Sequence, residues 1–168
     1  VEKVALLFLD ITQEPARLDL ALGRAVLDNF KPVLVVGTKR DLEPGLTPSE
    51  FREQVGSRLP HLRGAAVILI SNVTGEGIER VLEQALVLGE EARTRVGTGA
   101  LTRALADAMG ELHTRGRGER PRAFYATQVG VSPPTFLLFV NKKDLFEREA
   151  LRALARGLGR RLGIEKVP

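Results

Sequence analysis

The 168-residue sequence predicts an α/β fold, in which part of a parallel sheet is followed by a small α+β domain. Three observations lead to this prediction. Short apolar runs alternate with segments of helical periodicity over residues 1–92, a glycine-containing stretch at 93–99 interrupts the alternation, and the net charge changes sign across that stretch. We therefore expect two domains, at 1–92 and 100–168, joined by a linker at 93–99.

Three continuous apolar runs in the first part are typical of strands buried on both faces of a parallel sheet. The clearest helix start is at Thr47, where a threonine N-cap is followed by Pro48 and by Glu50 three residues on. The expected order is strand 4–9, helix 18–30, strand 33–36, helix 47–59, strand 66–70 and helix 78–91. Three strands are few for a sheet of this class, and we expect the missing ones to precede Val1.

The second part has the pattern α-β-β-α, with room for one more strand after Pro168. Thr98 is the expected N-cap of its first helix. Leucines at every third or fourth position form one stripe of its closing helix. The expected elements are helix 101–112, a basic loop 113–122, strands 122–129 and 135–140 around a turn at 130–134, and the helix that carries Leu151, Leu154, Leu158 and Leu162.

The charge distribution and the amino-acid composition exclude some classes of protein. Residues 1–99 contain 12 Lys/Arg and 14 Asp/Glu, so 12 − 14 = −2, whereas residues 100–168 contain 13 and 7, so 13 − 7 = +6. There is no cysteine, which excludes disulfides and favours the cytoplasm, and no apolar run approaches the ~20 residues of a membrane span.

The positive second part suggests an RNA partner. Four arginines of its loop are candidates for contacts with RNA phosphates: Arg115, Arg117, Arg120 and Arg122. An ordinary solvated loop explains the same residues, and the sequence leaves the two interpretations open.

A candidate base-binding loop, Thr38-Lys39-Arg40-Asp41, directly follows the second strand. Loops at the carboxyl ends of parallel strands are where such folds bind ligands. The Asp41 carboxylate can accept hydrogen bonds from N1–H and the exocyclic amine of guanine, whereas adenine has no matching donors. The stem of Lys39 can lie flat along the base. A solvated turn capped by Asp41 is the alternative for this loop taken alone.

A second loop with suitable chemistry follows the third strand. Ser71 and Asn72 lie one strand-helix-strand unit later, so the two loops are expected side by side at one sheet edge. A backbone N–H in that place can reach O6 of guanine. Taken alone, the loop is also explained as a turn capped by Ser71 and Thr74.

Together the two loops resemble the base-recognition elements of GTPases, whose usual patterns are Asn-Lys-x-Asp and Ser-Ala-Lys. Here Thr38 replaces the Asn and Asn72 replaces the Ala. The resemblance implies that residues 1–92 are the rear of a P-loop-type GTPase sheet, namely the strands and helices after its switch regions. It also implies that Thr38 braces the loop and that Ser71 with the backbone of Asn72 completes a pocket for GTP or GDP.

The second part sharpens the resemblance. Residues 125–141, which read YATQVGVSPPTFLLFVN, resemble the signature of the KH-like domain of Der/EngA GTPases. Residues 95–98 and 101–103 are similar to the linker and first helix of that family. The resemblance implies a bacterial GTPase with two tandem G domains that acts in large-ribosomal-subunit assembly. Its implied partners are guanine nucleotide, rRNA and a preceding G domain of the same protein.

Two sequence signatures are absent from the chain. There is no Gly-x-x-x-x-Gly-Lys-Ser/Thr phosphate loop, so the chain alone is not expected to hydrolyse GTP, and neither catalytic nor metal-binding residues are assigned; Mg²⁺ is expected only in the full-length parent. There is also no Gly-x-x-Gly, the loop with which ordinary KH domains hold RNA. Its absence argues against an Era-like GTPase, the first alternative. A non-enzymatic RNA- or protein-interaction module with a vestigial G domain is the second.

The run Asn141-Lys142-Lys143-Asp144 matches the usual base motif better than the loop after the second strand does. It follows a hairpin strand, however, and no Ser-Ala-like loop comes after it. We therefore expect a structural role, with Asp144 and Glu147 opening the last helix. Asp10, at the end of the first strand, is expected to cap that strand's loop and not to act as an acid.

Overall fold

The computed structural model describes residues 4–112, 119–131 and 133–164. Its contacts divide the chain into two compact units, with the division between Glu91 and Ala92. The mixed α/β class expected from the sequence is confirmed, since a parallel sheet with helices lies in the first unit and a hairpin with two helices lies in the second.

The first unit alternates strands and helices in the expected order. Two short 3₁₀ turns, Arg40–Leu42 and Pro60–Leu62, follow the second strand and the second helix. The strands and α-helices are β1 (Ala5–Asp10), α1 (Arg17–Asp28), β2 (Val33–Thr38), α2 (Pro48–Arg58), β3 (Ala66–Leu69) and α3 (Ile78–Glu91).

All three strands of this sheet are parallel, in the order β1-β2-β3. Asp10 at the end of β1 is in register with Thr38 at the end of β2, and Gly37 is in register with Leu69 of β3. The carboxyl ends of the three strands therefore lie at one edge, where the segments that follow them are neighbours.

Each face of the sheet carries its own apolar core, as expected when helices cover both faces. One face packs with Phe51 and Val55 of α2, and the other packs with Val81 and Leu88 of α3. The strand residues alternate between the two cores: Leu7, Leu9, Val33, Val35, Val67 and Leu69 contribute to the first, and Leu34, Val36 and Ala66 to the second.

The predicted start of α2 is present. The Thr47 hydroxyl accepts from the Glu50 N–H at 3.2 Å, and Glu50 Oε2 accepts from the Thr47 N–H at 2.8 Å. This reciprocal pair satisfies two backbone donors that the first turn would otherwise leave open.

In the second unit, one helix packs on an antiparallel hairpin and the last helix packs on that first helix. The core of the unit includes Leu101 and Ala108 on the first helix, Ala126 on the hairpin, and Leu154 and Leu158 on the last helix. The elements are α4 (Thr98–Gly110), β4 (Ala123–Val131), β5 (Pro134–Val140), a 3₁₀ turn (Lys143–Leu145) and α5 (Arg148–Leu162).

Two local predictions for this unit are wrong. The N-cap of α4 is Gly97, and no side chain caps the helix; Thr98 is already its first residue. The hairpin strands are longer than expected, because Gly130 pairs with Thr135 and Val131 pairs with Pro134. A proline is tolerated there because it opens the strand and needs to donate no ladder hydrogen bond.

In the described part of the chain, no helix is both long and apolar enough to cross a membrane.

Candidate functional site

The loops after β2 and β3 are joined by backbone hydrogen bonds. The N–H of Ile70 donates to the Gly37 carbonyl at 2.8 Å, and the N–H of Arg40 donates to the Ile70 carbonyl at 3.0 Å. The parallel ladder thus continues past the last residue of β3, so that the two predicted base-binding loops lie side by side.

Asp41 and Ser71 meet across this junction. The Ser71 hydroxyl donates to Asp41 Oδ1 at 2.5 Å and accepts from the N–H groups of Val73 and Thr74, each at 3.2 Å. Ser71 is fully buried, whereas Asp41 is exposed. The serine therefore holds one carboxylate oxygen in place, and no hydrogen-bond donor to the other is found among the described residues.

Thr38 and Asn72 are two further residues of the predicted site. The Thr38 hydroxyl donates to the Leu9 carbonyl at 3.1 Å, which ties the end of β2 to the end of β1. Asn72 lies in the turn after β3 and is exposed. Among the described residues, no acceptor is found for its backbone N–H, which remains available to a carbonyl oxygen such as guanine O6.

Lys39 has a left-handed backbone conformation, with φ 65°. That conformation is uncommon for a residue with a side chain. Its ammonium lies 2.6 Å from Asp10 Oδ2, and Asp10 Oδ1 accepts from the N–H and the hydroxyl of Thr12 at 3.0 and 2.7 Å. Asp10 therefore organises its own loop, as expected, and also holds the tip of the lysine predicted to pack on the base.

The charge of Asp10 is strongly favoured in this setting. The hydrogen bond from Lys39, followed by that from the Thr12 hydroxyl, lowers the pKa of the Asp10 carboxyl from 3.8 to about 2. Because the folded state has the lower pKa, the resulting stabilisation is present above about pH 4 and is lost as the pH falls through about 2.

We expect Asp10→Asn to lower the thermal unfolding midpoint at neutral pH, with the gap from wild type closing as the pH falls from about 4 to about 2. Unfolding midpoints measured across pH 2 to 7 test this. Glu53→Gln removes a carboxylate from an exposed position of α2 and is the control, expected to unfold like wild type throughout. A gap of constant size over the whole range would show that the Asp10 charge does not stabilise the fold.

The described residues include no group of three His, Cys, Asp or Glu side chains that could hold a metal ion.

Comparison with known proteins relates the sequence of this chain to one family. Residues 95–168 match the family model for the KH-domain-like region of EngA bacterial GTPase enzymes, C-terminal. A protein named GTPase Der from Caldanaerobacter subterraneus subsp. tengcongensis is 32% identical over 168 residues, covering 98% of this chain and 38% of that relative. The chain belongs to the Der (EngA) family.

Other Der relatives match over the same extent. GTPase Der of Alkaliphilus oremlandii is 30% identical over 173 residues, and GTPase Der of Synechococcus sp. (strain ATCC 27144 / PCC 6301 / SAUG 1402/1) is 31% identical over 169. These alignments cover 100% and 98% of this chain but 39% and 37% of the relatives. The chain thus spans less than two fifths of the length of the curated Der proteins it matches.

The sequence analysis missed Arg40 as a part of the candidate site. Its guanidinium Nη1 donates to the carbonyls of Glu43, at 2.9 Å, and of Leu46, and its Nε lies 3.9 Å from Glu76 in the loop after β3. Arg40 thereby binds the predicted base-binding loop to the segment that precedes α2. The only sequence signal for this role is its position beside Asp41, because its acceptors are backbone atoms.

The Asn-Lys-x-Asp run at 141–144 lies in the other unit, where its side chains bind neighbouring residues. Asn141 accepts from the Arg122 N–H at 2.9 Å and donates to the Arg120 carbonyl at 3.0 Å, and Lys142 pairs with Glu119 at 2.5 Å. Asn141 thus fixes the end of the basic loop. Arg115 and Arg117 lie outside the described residues.

The predicted role of Asp144 in opening α5 is wrong. The N-cap of α5 is Glu147, which makes no side-chain capping bond, and Asp144 lies in the preceding 3₁₀ turn Lys143–Leu145. That turn separates Asp144 from the first helical donors, so its carboxylate is not positioned to cap them.

Proposed function

We propose that this chain is the guanine-reading part of the second G domain of a Der-type GTPase, together with its KH-like domain. In this proposal Asp41 selects guanine, Lys39 packs on the base, Thr38 braces the loop, and Ser71 with the backbone of Asn72 completes the pocket for GTP or GDP. The full-length protein acts in the cytoplasm in large-ribosomal-subunit assembly. Its preceding G domain and rRNA are the expected partners, and Mg²⁺ is expected to be bound by residues outside this chain.

The observation that carries the proposal is the Asp41–Ser71 hydrogen bond between two neighbouring strand-end loops. A carboxylate that is already oriented loses little conformational entropy when a base binds. Two charged hydrogen bonds to N1–H and the exocyclic amine of guanine favour guanine over adenine by about 1–3 kcal/mol.

Two other functions remain as alternatives. An Era-like GTPase also joins a G domain to a KH domain, but the chain has no Gly-x-x-Gly, and the relatives reported above are Der proteins. A vestigial G domain would leave the KH-like unit as an interaction module. Binding of guanine nucleotide by the full-length protein, with the other G domain disabled, distinguishes that alternative from a GTPase.

The sharpest test of the base-reading role is Asp41→Asn in the full-length protein, with the other G domain disabled. An asparagine amide can donate to the extra carbonyl of xanthine, where the aspartate only accepts. We expect GDP affinity to fall about tenfold or more and XDP affinity to rise. Titrations with fluorescent GDP and XDP measure both. Unchanged GDP affinity without a gain for XDP would remove Asp41 from base recognition.

A further inference from the structure

Helix α5 carries an arginine at every fourth position, namely Arg148, Arg152, Arg156 and Arg160, and all four are exposed. We call this set the arginine stripe. Four residues of an α-helix advance about 6 Å and rotate about 40° beyond a full turn. The stripe is therefore a continuous, slowly winding line of guanidinium groups about 18 Å long.

The opposite face of α5 is already used for packing. Leu154 and Leu158 are buried in the core of the second unit, and a Cβ on Gly157 would lie 3.2 Å from the Ala108 Cβ of α4. This close packing orients α5, so the arginine stripe points away from the core of its own unit.

Helix stability does not explain the stripe. Like charges four residues apart repel each other, and a cation in the first turn, where Arg148 lies, is unfavourable with the helix dipole. Among the described residues, Arg148, Arg152 and Arg156 have no ion-pair partner. Glu149, the acidic residue of the same helix, pairs with none of them. The partnered cations are at the other end of the helix, where Arg161 pairs with Asp107 of α4 and both Arg160 and Arg161 pair with Glu111, directly after α4.

We propose that the arginine stripe of α5 is a docking surface for the phosphate backbone of RNA. Guanidinium groups bind phosphate oxygens in a bidentate manner, and a line of this length can meet several phosphates of one strand. The net charge of +6 over residues 100–168 complements such a partner. The inference rests on the RNA partner of the proposed function and names the surface that contacts it.

An anionic membrane fits this surface less well. Helices that lie on membranes expose an apolar face beside the basic one, whereas most of the apolar face of α5 is buried in the unit. Leu151 is half-exposed and is the one large apolar side chain of the helix with substantial exposure. One exposed leucine is less apolar surface than a membrane-bound helix presents, and arginine is a common donor to phosphate oxygens in nucleic-acid complexes.

The test is the triple change R148Q/R152Q/R156Q in the full-length protein, measured with a fluorescent RNA duplex of about 20 base pairs between about 50 and 200 mM salt. Three lost phosphate contacts should reduce the slope of log affinity against log salt by about 2–3. At about 50 mM salt we expect binding at least about tenfold weaker. The corresponding lysine variant, R148K/R152K/R156K, keeps the charge and should keep most of the slope.

The matched control is R17Q/R52Q/R80Q, which removes the same charge from exposed positions on α1, α2 and α3. It should leave the slope unchanged. Equal slopes in the two glutamine variants, or tighter binding of the stripe to anionic phosphatidylglycerol vesicles or polyglutamate than to RNA, would overturn the inference. If the wild-type protein binds GDP but no RNA, the RNA partner of the proposed function is refuted. If the wild-type protein binds RNA and the glutamine variant of the stripe binds it with the same slope, the proposed function stands and this surface is refuted.

Discussion

Asp41→Ala is expected to lower the guanine-nucleotide affinity of the full-length protein by at least about 1–3 kcal/mol, which is roughly a tenfold to hundredfold loss. In the proposed role, the variant removes both acceptors for the guanine edge, and it leaves the buried Ser71 hydroxyl without its present acceptor. Fluorescent-GDP titration measures the loss, with the other G domain disabled so that its site does not mask the result.

Asp144→Ala is the matched control, because Asp144 ends the Asn-Lys-x-Asp run of the second unit. It makes no capping bond to α5, so we expect nucleotide affinity to be unchanged and stability to change by no more than about 0.5 kcal/mol. The reverse result, with Asp144 essential and Asp41 dispensable, would contradict the assignment of the G domain as well as that of the two residues.

Gly77→Ala is expected to destabilise the protein by about 2–5 kcal/mol. Gly77 has φ 78°, and a Cβ there would lie 2.4 Å from the backbone oxygen of Leu69, which cannot move without disturbing β3. The same shift would displace the Ser71 loop, whose backbone N–H donates to the Glu76 carbonyl at 3.0 Å. We therefore expect weaker GDP binding as well. Chemical denaturation and GDP titration measure the two effects.

Gly75→Ala isolates the contribution of the backbone conformation. Gly75 has nearly the same φ, 79°, but a Cβ there would meet no atom within 4 Å. Its alanine variant should cost only about 1–2 kcal/mol, from the left-handed conformation. If both variants lost the same stability, the close approach of Gly77 to Leu69 would not contribute to the placement of the loop.

Patterns local to the chain were enough to predict the architecture. Continuous apolar runs marked β1, β2 and β3, because a strand buried on both faces needs apolar residues at every position. The expected burial is found for β2, whereas Leu6 and Phe8 on one face of β1 are exposed, so that part of the prediction is wrong. Thr47, Pro48 and Glu50 marked the start of α2, since a capping box involves only residues three apart. The same reasoning predicted that the loops carrying Asp41 and Ser71 would be neighbours, because parallel strands that are adjacent end at one edge.

What the sequence by itself determined is therefore the order of elements and the neighbouring positions of the two loops. Only the tertiary structure decided that Lys39 pairs with Asp10, that Arg40 binds backbone carbonyls, and that Asn141 holds the loop at 120–122. It also decided that the arginine stripe of α5 faces outward. These features depend on contacts between residues up to 29 positions apart, such as Lys39 with Asp10, and on backbone acceptors that every residue carries. Neither leaves a pattern in the local sequence, because a distant partner or a carbonyl oxygen places no constraint on the residue types nearby.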